Sequence, residues 1–219
     1  MRTLKQDVDP HQFFAELSRA PKRLLILDYD GTLAPFRVER DQAVPYPGVR
    51  QALSDLQTRA ATRVVLVSGR GAENLVPLLG VEPVPEIWGS HGWERRMPDG
   101  RLTVQQPNAN AQEGLRLARA IVEGNAPERW EVKPVSLAAH WRGAEPAEAA
   151  RVRVRVEALW PKLAETHGLE VHAFDGGIEL RVPGVNKGTA VAALLAESGD
   201  GVKAAYQGDD RTDEDAFAA

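Results

Sequence analysis

Four apolar runs along the chain stop abruptly at acidic, hydroxyl or glycine residues. Leu24-Leu25-Ile26-Leu27 runs into Asp28-Tyr29-Asp30-Gly31-Thr32, and Arg63-Val64-Val65-Leu66-Val67 into Ser68-Gly69-Arg70. Ile87-Trp88 ends at Gly89-Ser90-His91-Gly92, and Val202 to Tyr206 ends at Gly208-Asp209-Asp210. Short apolar runs bounded by turn residues read as buried strands. Between them lie stretches with helical spacing: Val49 to Leu56, with Val49, Leu53 and Leu56 on one face, Ala72 to Leu79, and Lys187 to Glu197. A further helix is predicted from Pro10 to Ala20, where Phe13, Phe14 and Leu17 share a face. Strands alternating with helices at this pitch predict a parallel sheet with crossover helices, the doubly wound α/β class. The polar residues follow the strands, at the carboxyl edge where such sheets bind ligands.

From about Pro107 to Val182 the texture changes. Ala109 to Glu123 is an alanine-rich amphipathic helix, Trp130 to Trp141 alternates like a strand, and Ala147 to Glu165 is a long helix of Arg, Val and Ala. Leu169 to Phe174 and Ile178 to Val182 flank Asp175-Gly176-Gly177, a hairpin turn signal. The pattern predicts an α+β domain at 107–182 inserted into a core made of 1–106 and 183–219.

A chain of 219 residues suits one large domain or two small ones. Its net charge of −4, with mixed signs, favours neither nucleic acid nor an anionic membrane as partner. The absence of cysteine excludes disulfides, thiolate metal sites and cysteine nucleophiles, and fits a reducing compartment. No apolar stretch is long enough for a signal peptide or a membrane span. The expectation is a soluble, cytoplasmic monomer acting on a small molecule.

The strand-end residues supply chemistry together that none supplies alone. Asp28 and Asp30, two apart on a strand, start on one face, and Gly31 lets the chain turn behind them. Carboxylates this close repel unless a cation or proton lies between them, which suits a hard divalent cation and a carboxylate nucleophile. By itself the same pattern fits a polar turn. Ser68 adds a neutral hydrogen-bond donor, Lys187 a positive charge at a helix start, and Asp209 a further carboxylate with Asp213 behind it. Phosphoryl transfer asks little more of a protein than this positioning and charge neutralisation.

In order and local context these four segments resemble the motifs of the haloacid dehalogenase superfamily of phosphotransferases: Asp28-x-Asp30-Gly31-Thr32, Ser68, Lys187 and Gly208-Asp209-x-x-Thr212-Asp213. Over nearly its whole length the chain is similar to the trehalose-6-phosphate phosphatase family. That resemblance rests on Leu27 to Leu33, Ser68-Gly69-Arg70 and Gly89-Ser90-His91-Gly92-Trp93-Glu94. It continues in Glu131-Val132-Lys133, Ser136 with His140-Trp141-Arg142, Glu179-Leu180-Arg181 with Lys187-Gly188, and the run Gly208 to Phe217. Two departures stand out. Val132 occupies a position where the family more often has an acidic or polar residue. The chain also stops at Ala219, where the family usually continues with another strand and helix, which could weaken the sheet that positions Asp209.

The resemblance implies a Mg²⁺-dependent phosphatase with a haloacid dehalogenase-like core and a cap domain that closes over the site. Asp28 would form an aspartyl-phosphate, and Asp30 would act as acid and then base. Mg²⁺ would be held by Asp28, the backbone carbonyl of Asp30, and Asp209. Lys187 would hold Asp28 and the phosphate in line, Ser68 would donate to a phosphate oxygen, and Asp213 would orient Lys187 or a metal-bound water. Glu131, Lys133, Arg142 and Glu179 match the family's cap motifs and are expected to contact trehalose. Arg70 braces the site, touches the sugar phosphate, or makes a structural ion pair. His91 either nears the sugar or bonds a loop, and His140 is expected in cap packing. The implied reaction is hydrolysis of trehalose 6-phosphate. The alternatives are a phosphatase for a sucrose- or hexose-phosphate, a phosphomutase, and a non-catalytic sugar-phosphate sensor.

Overall fold

The computed structural model describes residues 9–59, 62–122, 129–174 and 176–219, and the chain divides into two compact units. The expected helix end at Glu123 and the turn residue Asp175 lie outside the described residues. The first unit, 1–102 with 187–219, contains α1 (Pro10–Arg19), β1 (Lys22–Leu27), α2 (Val49–Thr58), β2 (Thr62–Val67), α3 (Ala72–Leu79) and β3 (Glu86–Gly89). After β4 (Glu94–Arg96) and β5 (Leu102–Val104) the chain enters the second unit. That unit comprises α4 (Ala109–Val122), β6 (Trp130–Lys133), β7 (Ser136–His140), α5 (Pro146–His167), β8 (Glu170–Phe174) and β9 (Gly177–Arg181). The chain then returns to the first unit as α6 (Lys187–Ser198), β10 (Val202–Gln207) and α7 (Glu214–Ala218).

The first unit is built on a six-stranded sheet ordered β10-β1-β2-β3-β4-β5. β1 pairs in parallel with both β10 and β2, and β2 pairs in parallel with β3. Parallel neighbours need a crossover, and α2 and α3 provide it. The period-two alternation of strand side chains makes both faces apolar. Leu27, Val64 and Leu66 bury against Leu53 of α2 and Leu75 and Leu79 of α3. Leu24, Ile26, Val65 and Val67 bury on the opposite face against Ala190, Val191 and Leu194 of α6. The expected three-layer core is therefore present, with one departure. β4 runs antiparallel to β3, so the sheet is not purely parallel. Segments of three residues are too short for periodicity to register.

Register fixes where the strands end. Leu27 aligns with Leu66 on one side and with Gln207 on the other, and Val67 aligns with Trp88. The residues that follow, Asp28, Ser68, Ser90 and Asp209, are thereby delivered to one sheet edge. Nearer the amino ends of the strands, buried Glu86 accepts hydrogen bonds from Arg63, Trp88 and Arg95. Arg95 also pairs with Glu197 at the end of α6 and stacks over the Trp88 ring.

In the second unit β6, β7, β9 and β8 form an antiparallel sheet in that order. The stretch Trp130 to Trp141, expected as one strand, is a hairpin folded at Pro134 and Val135, because proline has no N–H to continue a ladder. Val152, Val156 and Trp160 recur every four residues along α5 and are buried, as are Leu137, Ala139, Ile178 and Leu180 of the sheet. Among the described residues, no helix is long and apolar enough to cross a membrane.

Candidate active site

Asp28 leaves β1 with its N–H still bonded to the Gln207 carbonyl at 2.9 Å, so it remains locked to the sheet. The next turn is closed by Gly31 N–H to Ala34 O at 2.7 Å and Ala34 N–H to Tyr29 O at 3.0 Å. The carbonyl of Asp30 takes no part in those two bonds. Tyr29 points into the core and donates its hydroxyl to the Ala43 carbonyl at 2.7 Å, which anchors the loop beyond.

Lys187, the first residue of α6, bridges two carboxylates. Its Nζ donates to Asp28 Oδ1 and to Asp213 Oδ1, each at 2.7 Å, with the three side chains 4%, 4% and 0% exposed. Asp213 accepts further bonds from the Tyr206 hydroxyl at Oδ1 and, at Oδ2, from the backbone N–H groups of Asp209 and Asp210, both at 3.1 Å. Its oxygens are thus engaged in holding Lys187 and shaping the loop after β10. Asp210 caps that loop, accepting from Thr212 N–H and its hydroxyl.

Asp209 is directed toward Asp28 across Gly31. Gly31 has φ +86°, and a Cβ there would lie 2.0 Å from Asp209 Oδ2, so only glycine permits both the turn and the approach. Thr32 Oγ1 lies 3.4 Å from Asp209 Oδ1. Carboxylate oxygens of Asp28, Asp209 and Asp213 all come within 4.8 Å of one another, a group able to hold a metal ion.

The titration of these groups follows from the packing. Burial pushes the Asp28 carboxyl up to about 7, against the pull of Lys187. Burial also raises Asp209, helped by the charges of Asp210 and Asp213. Burial opposes the Lys187 ammonium, yet Asp28 and Asp213 together hold it above its ordinary value. Asp213, although buried, is held low by Lys187 and Tyr206. Burial raises both carboxyls, and their hard oxygens, with no thiolate or imidazole in the set, fit a cation such as Mg²⁺. Gly31→Ala should displace Asp209 and weaken divalent-cation affinity about tenfold or more by titration calorimetry. Unchanged affinity would mean that Asp209 is not a ligand.

Ser68 is buried where β2 ends, and its Oγ accepts from Arg70 N–H at 3.2 Å. That bond leaves the hydroxyl proton available to donate. Arg70 clamps Asp30 with two bonds of 2.6 Å, Nε to Oδ2 and Nη2 to Oδ1. Its Nη1 donates to the Arg40 carbonyl at 2.7 Å, and its guanidinium lies over the Tyr29 ring. His91 lies against the Ser68–Arg70 turn, its Cε1 2.7 Å from where a Cβ of Gly69 would be.

The remaining expected residues lie in the second unit, on the sheet face opposite its apolar core. Glu131 and Glu179 both flank Ala138 in register, and Lys133 reaches them at 3.4 Å and 3.0 Å. Ser136 donates to Glu179 at 2.7 Å. His140, expected in cap packing, packs within this unit from the half-buried polar face. It stands 3.4 Å from Glu131 and stacks on Phe174, because strand parity groups 136, 138 and 140. Arg142 lies past the strand end against the turn at Gly176, whose carbonyl accepts its N–H at 3.2 Å. Tyr206 and Glu94 have structural roles that spacing does not disclose. The one hint of Tyr206 is a phenol two residues before a glycine at a strand end.

A family model for trehalose-phosphatase matches residues 26–219. The chain is 36% identical over 212 residues to a bifunctional trehalose-6-phosphate synthase/phosphatase of Thermoproteus tenax, covering 93% of this chain and only 28% of that protein. It is 32% identical over 195 residues to the trehalose-6-phosphate phosphatase of Escherichia coli, covering 87% of this chain and 71% of the relative. Among solved structures, the C-terminal domain of the trehalose-6-phosphate phosphatase of C. albicans aligns with a TM-score of 0.75 at 23% identity, over 96% of this chain and 77% of that one. A haloacid dehalogenase-like hydrolase from Bacteroides thetaiotaomicron aligns at 0.63 and 17% identity, over 88% and 83%, a likeness of fold.

Proposed function

Because the chain belongs to the trehalose-phosphatase family, we propose that it hydrolyses trehalose 6-phosphate to trehalose and phosphate with the help of Mg²⁺. The observation that carries this reading is the buried bridge from Asp28 through Lys187 to Asp213, with Asp209 set against Gly31 beside it. Asp28 attacks phosphorus, and as its oxygen–phosphorus bond forms the bond to the sugar oxygen breaks. Asp30 gives its proton to that oxygen. For this, one of its oxygens must leave Arg70 to carry the proton, while the other keeps the carboxyl aimed. A water then attacks the aspartyl-phosphate, giving its proton to Asp30, and phosphate departs as Asp28 is regenerated. Lys187 holds Asp28 in line, and the Ser68 hydroxyl donates to a phosphoryl oxygen. Asp28, Asp209 and the Asp30 carbonyl would hold Mg²⁺, which when bound neutralises charge on the phosphoryl group.

The polar sheet face of the second unit suits a sugar, since carboxylates accept from hydroxyls and an ammonium donates to them. We assign recognition to Glu131, Lys133, Glu179, Arg142 and His91, and the cap domain to 107–182. Glu131→Ala or Glu179→Ala should cost more on trehalose 6-phosphate than on p-nitrophenyl phosphate. Equal losses on both would place these residues in general stability.

Cation dependence should also show in the fold. Asp28 is raised in the folded protein to about 7 from 3.8, so without a cation the folded state keeps a proton that the unfolded chain gives up. That contribution, up to about 4 kcal/mol, is complete below pH 4 and fades as pH rises through 7. Asp209 is shifted the same way, while Asp213 acts only at the acid end. With EDTA, Tm should fall from pH 5 to pH 8, and Mg²⁺ should restore it. A cation-free Tm that rises over this interval would contradict the buried-acid reading.

The deciding test is phosphate release with Mg²⁺ and EDTA controls on trehalose 6-phosphate, sucrose 6-phosphate, glucose 6-phosphate and p-nitrophenyl phosphate. A strong Mg²⁺-dependent preference for the first supports the reading. Preference for another sugar phosphate keeps the chemistry and overturns the substrate, and no release from any overturns both.

A further inference from the structure

Glu94 opens β4 directly opposite Gly89 and is 6% exposed. One of its oxygens accepts from the backbone N–H of Ala72, the first residue of α3, at 2.8 Å, and the other accepts from the Ser90 hydroxyl. Ser90 and the next residue, His91, stand at φ +50° and +59°. Two successive non-glycine residues in the left-handed region are strained and persist only where their surroundings hold them.

What this strained turn holds is the Ser68–Arg70 segment. Ser90 N–H donates to the Arg70 carbonyl at 2.8 Å, His91 N–H to the Ser68 carbonyl at 2.9 Å, and Ser68 N–H to the Trp88 carbonyl at 2.9 Å. The two backbones are so close that a Cβ on Gly89 would lie 2.3 Å from Ala72 N. Glu94 therefore fastens both sides of the junction, the start of α3 just after Arg70 and the turn whose N–H groups bind the segment. This anchorage holds the backbone of Ser68 and of Arg70, whose side chain makes the two-bond clamp on Asp30.

We infer that Glu94 is a positioning residue for phosphoryl transfer, acting through the Ser90 hydroxyl and the Ala72 N–H to fix Ser68 and Arg70. This rests on the phosphatase reading of the site. Glu94 touches neither Asp28 nor Asp30 and would not touch the substrate, so its loss should appear in kcat more than in KM.

The test compares Glu94→Ala, Glu94→Gln, Ser90→Ala, Ser68→Ala and the Glu94→Ala/Ser68→Ala double variant on p-nitrophenyl phosphate with Mg²⁺, per mole of folded protein. Glu94→Ala should lower kcat about tenfold to a hundredfold with KM changed by less than about threefold. Glu94→Gln should stay within about threefold of wild type, since its amide can accept from Ala72 N–H and donate to Ser90 Oγ. The double variant should lose far less than the product of the single losses. Multiplicative losses, or wild-type kcat in Glu94→Ala, would overturn the inference. If Glu94→Ala does not fold, Ser90→Ala decides, with about a tenfold loss of kcat expected and an unchanged kcat contradicting it. Should the wild type release no phosphate, the phosphatase reading fails by itself. The anchorage is then read by calorimetric affinity for inorganic phosphate with Mg²⁺, expected to weaken about tenfold in Ser90→Ala, an unchanged affinity overturning it.

Discussion

Asp28→Asn should abolish turnover, lowering kcat by roughly four orders of magnitude or more, while leaving substrate affinity near that of the wild type. An amide has no anionic oxygen with which to attack phosphorus. The fold should tolerate the change, because burial pushes the Asp28 carboxyl up to about 7, so an uncharged group is accepted at that position near neutral pH. Lys187 keeps Asp213 as its partner. Phosphate release, thermal melting and calorimetric binding of trehalose 6-phosphate check the three parts together. Turnover within tenfold of the wild type would remove Asp28 as the nucleophile.

Lys187→Met should strike both stability and rate. It leaves Asp28 and Asp213 facing each other in a buried niche with no cation between them. Breaking a buried ion pair from one side costs about 3–5 kcal/mol, or a Tm loss of about 10 °C in a chain of this size. The loss should be larger at pH 8 than at pH 5, since at the lower pH Asp28 takes up a proton and relieves the repulsion. Turnover per folded molecule should fall about a thousandfold, as expected when a charge aimed at the reacting phosphoryl group is deleted. Lys187→Arg should not rescue it, because a planar fork cannot replace an ammonium whose donors reach two carboxylates in so small a space. A variant with lower Tm but unchanged turnover would make Lys187 structural only. Lost turnover with an unchanged melt at both pH values would mean that the bridge contributes nothing to the fold.

Much of this arrangement is written locally. The parity of Leu24 and Ile26 against Leu27 gives a strand buried on both faces, and both faces are indeed buried. The acidic and hydroxyl residues just beyond such strands collect at one edge because parallel pairing brings their ends level. What sequence pattern does not disclose is pairwise. Nothing in the spacing of Arg70 says that its guanidinium donates two bonds to the Asp30 carboxylate, since that depends on how two loops fold 40 residues apart. Tyr206 discloses little more than a phenol near a strand end, because a tyrosine in an apolar strand reads as packing until its hydroxyl is seen on Asp213. Strand parity puts His140 with Glu131 and Glu179 only across a hairpin at Pro134, which the alternation from Trp130 to Trp141 does not show. The short strands β4 and β5 carry too few residues for any period to register.

The contacts that complete the centre join residues far apart in sequence. Lys187 meets Asp28 across 159 residues and Thr32 meets Asp209 across 177, and β10 pairs with β1 in the register Leu27 to Gln207. Loop-closure entropy makes such distant pairing the late part of folding, and domains form as they leave the ribosome, amino end first. During synthesis the strand that carries Asp28 exists for a long interval with one side unpaired. The charged pocket closes only when β10 docks. The carboxyl at the tip of β1 thus waits for its lysine and its second carboxylate until both later segments exist, however well the earlier parts have folded.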